Sequence, residues 1–213
     1  MQDLGDLGED ILLLAIARDG TIAAYDRMHF ALAGAALARL IALRRVEVVK
    51  GRIVVLDARP TSDPLLDEAL GRICSSRRPP HARTWIGQQR QTVTEQYLAM
   101  LTRSGAARCE VHRRLKLFRV RRWFIRDFAR VNRLRAQLEE IANSDGPIDA
   151  MQAAFGGLIH VVGLDSMYFP RGEGRRARKR LKTLARYSDA AVAVAAALAA
   201  RQAARSARVA AGS

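Results

Sequence analysis

Arginine is the side chain best placed to do chemistry in this chain, and its spacing points to binding rather than to turnover. Ten Lys or Arg and one acid stand between Arg113 and Arg135. The middle of that stretch reads Leu117-Phe118-Arg119-Val120-Arg121-Arg122-Trp123-Phe124. Large apolar side chains set among arginines are costly to leave in water, so they either pack or meet a partner. A surface both apolar and positive suits the headgroup layer of an anionic membrane, where guanidinium groups face phosphates and rings reach the acyl boundary. It suits nucleic acid as well. A second run, 171–186, adds eight Lys or Arg around Arg175-Arg176-Ala177-Arg178-Lys179-Arg180. The two stretches hold half of the 36 basic residues, and the excess of positive charge in them covers the whole net charge of +15. Such clustering predicts a surface that faces a polyanion.

Other chemistries lack their frames. His29, His81, His112 and His160 are scattered, without the spacing of a helical zinc site. Asp67-Glu68 and Glu139-Glu140 are adjacent pairs, which point to different faces of a helix and cannot share a substrate. Cys74 and Cys109 have no CxxC spacing, so neither a disulfide framework nor a zinc site is expected. The chain has no GxxxxGK[ST], GxGxxG or GxSxG pattern. No catalytic residue, metal or cofactor is therefore expected. Met1-Gln2-Asp3-Leu4-Gly5-Asp6 is acidic where a signal peptide is basic, and no apolar run reaches the roughly 18 residues that a spanning helix needs. The expectation is a cytoplasmic protein whose membrane contact is peripheral.

The elements that would position the arginines read as mostly helical. Leu7, Ile11 and Leu14 recur at helical spacing before Gly20, and a second helix is expected over 26–45. Val46 to Leu56 turns β-branched around Lys50-Gly51, the signature of a hairpin. Asp63-Pro64 reads as an N-cap followed by proline at the first helical position. Residues 75–83 form a breaker-rich loop, and helix returns over 92–103. Residues 106–124 read as two short strands around an arginine-rich bend. Alternation in such a hairpin puts Phe118 and Val120 on one face and Arg119 and Arg121 on the other. A basic helix over 127–141, an apolar helix from Ile148 to Val162 and a basic helix to Tyr187 follow. Ser188-Asp189 then caps an Ala-rich helix that frays into an Ala/Arg tail over 201–213. The fold expected is mainly α: a single helical-bundle-like domain over 1–200 with one or two short β-hairpins.

Three stretches carry a family resemblance. They are Leu7-Gly8-Glu9-Asp10-Ile11-Leu12-Leu13-Leu14, the run from Gly34 to Val46, and Pro60-Thr61-Ser62-Asp63-Pro64-Leu65-Leu66-Asp67-Glu68-Ala69-Leu70. The last resembles the "PTGD-x-LLDEAL" of the Golgi phosphoprotein 3 family, and the order and spacing of all three match it. The resemblance implies a non-enzymatic, mainly helical protein that binds phosphatidylinositol 4-phosphate and inserts a hydrophobic hairpin, which falls here on Leu115 to Phe124. The family's phosphate-binding residues fall on other types: its tryptophan near Ala24, one arginine on Ala33, and two more on Gln91 and Thr94. Tyr25, Arg27 and Arg90 are the nearest groups that could meet a headgroup, with Arg83 adding charge. The family's coat-binding tail has no counterpart, so coat recruitment is not expected.

Three functions follow from this reading. The first is a peripheral membrane protein holding an anionic lipid at Tyr25, Arg27 and Arg90, with Leu117 to Phe124 inserted. The second is a nucleic-acid-binding protein using 113–135 and 171–186, which the lack of a known RNA- or DNA-binding pattern disfavours. The third is an adaptor for protein cargo, or one that self-associates through the hairpin or the Ala-rich last helix.

Overall fold

A computed structural model of the chain describes residues 6–114 and 118–211, with the side chains of Arg113, Arg114 and Phe118 outside the described set. It is mainly α, with two separate two-stranded antiparallel sheets. The elements run α1 (Leu7–Ala15), α2 (Tyr25–Ala42), β1 (Val46–Val49), β2 (Arg52–Val55), α3 (Pro64–Cys74), α4 (Ala82–Gly87) and α5 (Thr92–Arg103). They continue with β3 (Ala107–Arg114), β4 (Phe118–Ile125), α6 (Phe128–Asn143), α7 (Ala150–Val161), α8 (Asp165–Tyr168), α9 (Arg175–Tyr187) and α10 (Asp189–Ala211).

Helix α2 is buried along most of its length and runs through the middle of the core, against α1, α3, α5, α7 and α10. A helix enclosed on most sides needs no broad polar stripe, and from Met28 to Ile41 its only polar side chains are those of His29 and Arg39. The expected first hairpin is β1–β2, and its Lys50-Gly51 turn has φ of 50° and 75°, as a type I′ turn requires. Two short helices, α4 and α8, fall where the sequence reading placed none. α4 buries Trp85 and Ile86 and packs against α10. The final helix does not fray at residue 201. It continues to Ala211, with one face of its first half buried and 201–211 exposed.

The residues of the family-like motif hold helices together. Asp63 caps α3 by accepting from the N–H groups of Leu65 and Leu66, and Asp67 accepts from both the backbone N–H (2.6 Å) and the hydroxyl (2.7 Å) of Thr61. Asp6 caps α1. Arg39 of α2 donates to both caps, to Asp6 at 2.9 Å and to Asp63 at 2.7 Å, and so ties the starts of α1 and α3 to the central helix. On the other side of α1, Arg130 of α6 reaches Asp10 (2.6 Å) and Glu9 (2.9 Å).

Candidate functional site

The arginine-rich segment forms the β3–β4 hairpin, with Ala107 opposite Ile125 at its base and Arg113 opposite Arg119 near its end. The base is built into the core. The backbone N–H of Trp123 donates to the Gly20 carbonyl at 2.9 Å, and the N–H groups of Arg126 and Asp127 donate to Ala106. Gly20 has φ of +76°, and a Cβ there would come within 2.9 Å of the Cβ of Arg122, so glycine lets this turn close on β4. Ala107 is buried, and Trp123 is only 8% exposed. The outer part of the hairpin faces solvent: Val111 is 58% exposed, and Arg119 and Arg121 are exposed.

This corrects the expectation that Trp123 anchors the protein outward. Trp123 faces inward, and Phe124 is half-buried beneath the Arg108 guanidinium, 5.6 Å from its ring centre. Val120 is partly buried too. Leu117 lies outside the described residues, as does the side chain of Phe118. Arg121 pairs with Glu95 at 3.4 Å and Arg122 with Asp19 at 3.6 Å. Among the described residues, Arg119 has no carboxylate partner.

Tyr25 and Arg27 make contacts on different sides of α2. The Tyr25 hydroxyl donates to Glu95, and Gln91 donates to the Tyr25 carbonyl at 2.9 Å. Burial, reinforced by the bonded Glu95 carboxylate, pushes the Tyr25 phenol above its ordinary pKa. Arg27 turns the other way. It lies beside Gly163 and lines a cleft of about 510 Å³ with His160, Arg201 and Arg205, where Arg90 takes no part. Arg90 is exposed ahead of α5. At the positions to which the resemblance assigns phosphate contacts, Ala33 and Thr94 are buried. The acid Glu95 stands beside them in sequence, bonded to Tyr25.

A concavity on the face of the hairpin that carries Phe124 was not legible in the sequence. It encloses about 960 Å³ and is lined by Arg18 after α1, Arg108 of β3, Phe124 and Arg126 at the end of β4, Phe128 and Arg135 of α6, and Tyr168 of α8. Phe124 carried a signal as a residue of the expected hairpin, and Arg126 and Arg135 did so as members of the basic stretch. Arg18, Arg108 and Tyr168 come from distant elements without a local pattern.

The second basic run forms α9. Arg171, Arg175, Arg178, Lys179 and Lys182 border a groove of about 610 Å³ that reaches His160. His160 is held by the buried Asp165 at 2.7 Å, and Arg178 approaches the same carboxylate at 3.4 Å. Among the described residues, no group of three His, Cys, Asp or Glu could hold a metal ion, and no helix is long and apolar enough to cross a membrane. Compared with known families, the chain matches the model of Golgi phosphoprotein 3 over residues 7–204. No curated protein matches it.

Proposed function

The chain belongs to the Golgi phosphoprotein 3 family, and on that premise we propose that it is a non-catalytic protein that associates peripherally with the cytoplasmic face of an anionic membrane. One observation carries the reading. A hairpin rooted in the core by Trp123 carries exposed cations, Arg119 and Arg121, on the strand that follows the sequence Leu115-Lys116-Leu117. A rooted hairpin loses little order on docking, and each cation near an anionic surface contributes about 1 kcal/mol. The reading stops at anionic phospholipid as a class. Alanine, glutamine and threonine at the resemblance's phosphate contacts, with Glu95 beside them, supply no cation that would select one phosphoinositide.

Vesicle flotation tests it. The chain is expected to float with phosphatidylcholine vesicles that contain phosphatidylglycerol and to stay behind with phosphatidylcholine alone. Leu117→Ser with Phe118→Ser is expected to weaken flotation while the fold is kept. Equal flotation of a folded double variant removes the hairpin from the reading.

A second reading, nucleic-acid binding, has its own support in the cationic groove along α9. A gel shift run at the ionic strength of the flotation assay separates the two. Tight RNA or DNA binding without flotation reverses their order.

A further inference from the structure

We propose that the concavity beside the hairpin base is the headgroup site itself, taking the phosphodiester of an anionic glycerophospholipid; this rests on the membrane reading above. Four guanidinium groups, Arg18, Arg108, Arg126 and Arg135, line it, and its lining contains no carboxylate. Their pairing sets them apart from the structural arginines. Arg39 and Arg130 are each matched to two carboxylates. Among the described residues, Arg18, Arg126 and Arg135 make no ion pair, and Arg108 pairs only with Glu110, at 2.7 Å. Three unmatched guanidinium groups and a fourth that is paired once line a phosphate-sized space with no carboxylate in its lining.

The apolar lining indicates a lipid rather than a bare anion. Phe128 is 65% exposed and Met167 44% exposed, both at this concavity. Side chains so apolar remain uncovered at a cost unless something apolar reaches them. Arg135 lies 5.9 Å over the Tyr168 ring, and the Tyr168 hydroxyl is committed to the Leu14 carbonyl. The ring is therefore a fixed floor rather than a donor. The volume falls within the range of about 300–1,000 Å³ usual for ligand pockets. Because Arg108 and Arg126 stand at the ends of β3 and β4, a lipid held here lies under the hairpin, with its acyl chains toward Phe128 and Met167.

Met167 supplies the readout. In the full-length chain labelled at its methionine methyls, dihexanoylphosphatidylglycerol below its micellar threshold is expected to shift the Met167 resonance saturably. Buried Met28 should not move. Arg18→Gln with Arg126→Gln removes two exposed cations and should weaken that response about thirtyfold. A Met167 resonance that does not respond, or a variant that responds as the parent does, overturns the proposal. So does an equal response to inorganic phosphate, which marks a bare anion site, or a stronger response to a short RNA. The Leu117→Ser, Phe118→Ser variant keeps the two ideas apart. A saturable Met167 response in a chain that does not float with vesicles leaves the headgroup site standing and sinks the membrane reading. Flotation with a silent Met167 does the reverse.

Discussion

Replacing Trp123 with serine should destabilise the fold rather than blunt a membrane anchor, and the magnitude follows from burial. A tryptophan side chain buries about 150–250 Å², worth about 4–6 kcal/mol at about 25 cal/mol per Å². Mutational experience with buried aromatic residues gives about 3–5 kcal/mol, so about 4 kcal/mol is expected for a ring that is 8% exposed. In a chain of this size each kcal/mol moves Tm by about 2–4 °C, which gives a fall of about 8–16 °C. Arg119→Gln with Arg121→Gln should do the opposite. Arg121 and its partner Glu95 are 63% and 41% exposed at 3.4 Å, so the pair contributes little and Tm should hold within about 2 °C. Vesicle partition should nevertheless fall about ten- to thirtyfold, since two cations leave the surface. Thermal melts by circular dichroism, read beside flotation, separate the two effects. A Trp123→Ser protein that melts normally but no longer floats refutes the inward placement of the ring. An unchanged partition of the arginine pair at low salt refutes the role of the hairpin charges.

Arg130→Ala leaves Asp10, which is 2% exposed, without its guanidinium and should cost about 3 kcal/mol at neutral pH, measured by urea unfolding. Burial already raises the Asp10 pKa against the pull of Arg130, so the native state holds that proton more tightly than the unfolded chain does. Stability from this group therefore falls as pH rises from the usual carboxylate range through the raised value, and the deficit of the variant should shrink in mild acid. Ser62 sits at φ +70°, where the family pattern quoted above has glycine, and it is exposed. Ser62→Gly should raise stability by about 0.5–1 kcal/mol; a lower denaturation midpoint would count against strain at that turn. Salt should move stability and binding in opposite directions. Screening relieves the self-repulsion of a +15 chain and raises Tm, while flotation weakens as the Debye length drops from about 10 Å at 0.1 M to about 3 Å at 1 M.

Much of the fold was legible because it rests on local rules. Asp63-Pro64 starts α3, Thr92 to Arg103 is α5 with the bounds its periodicity gives, and Lys50-Gly51 turns the first hairpin. Helices α4 and α8 escaped because six and four residues are too few to show a helical period. The site was less legible, for geometric reasons. Tyr25 and Arg27 are two residues apart at the start of α2, and positions so spaced do not share a helix face. One therefore meets Glu95 while the other meets the α7–α10 side. The inward face of β4 could not be read from alternation, since arginine stands on both of its faces. What decides it is the turn at Gly20, about a hundred residues away in sequence, which closes on the strand beside Trp123.

The placement of carboxylates separates arginines that build this protein from those that face outward. A half-buried guanidinium is costly unless a carboxylate matches it, and the chain matches Arg39 with Asp6 and Asp63, Arg45 with Asp57, and Arg130 with Glu9 and Asp10. All these acids lie before residue 68, on or beside α1, β2 and α3. From Arg113 to Arg135 the only acid is Asp127, and its side chain is used to cap α6 at the N–H of Arg130. The arginines of the outer hairpin and the neighbouring concavity are thus left mostly with distant, exposed partners or with none among the described residues. A basic composition alone would not produce that division. The positive surface is only partly compensated on the face where the rooted hairpin emerges, and an anion arriving there displaces no carboxylate in the concavity's lining.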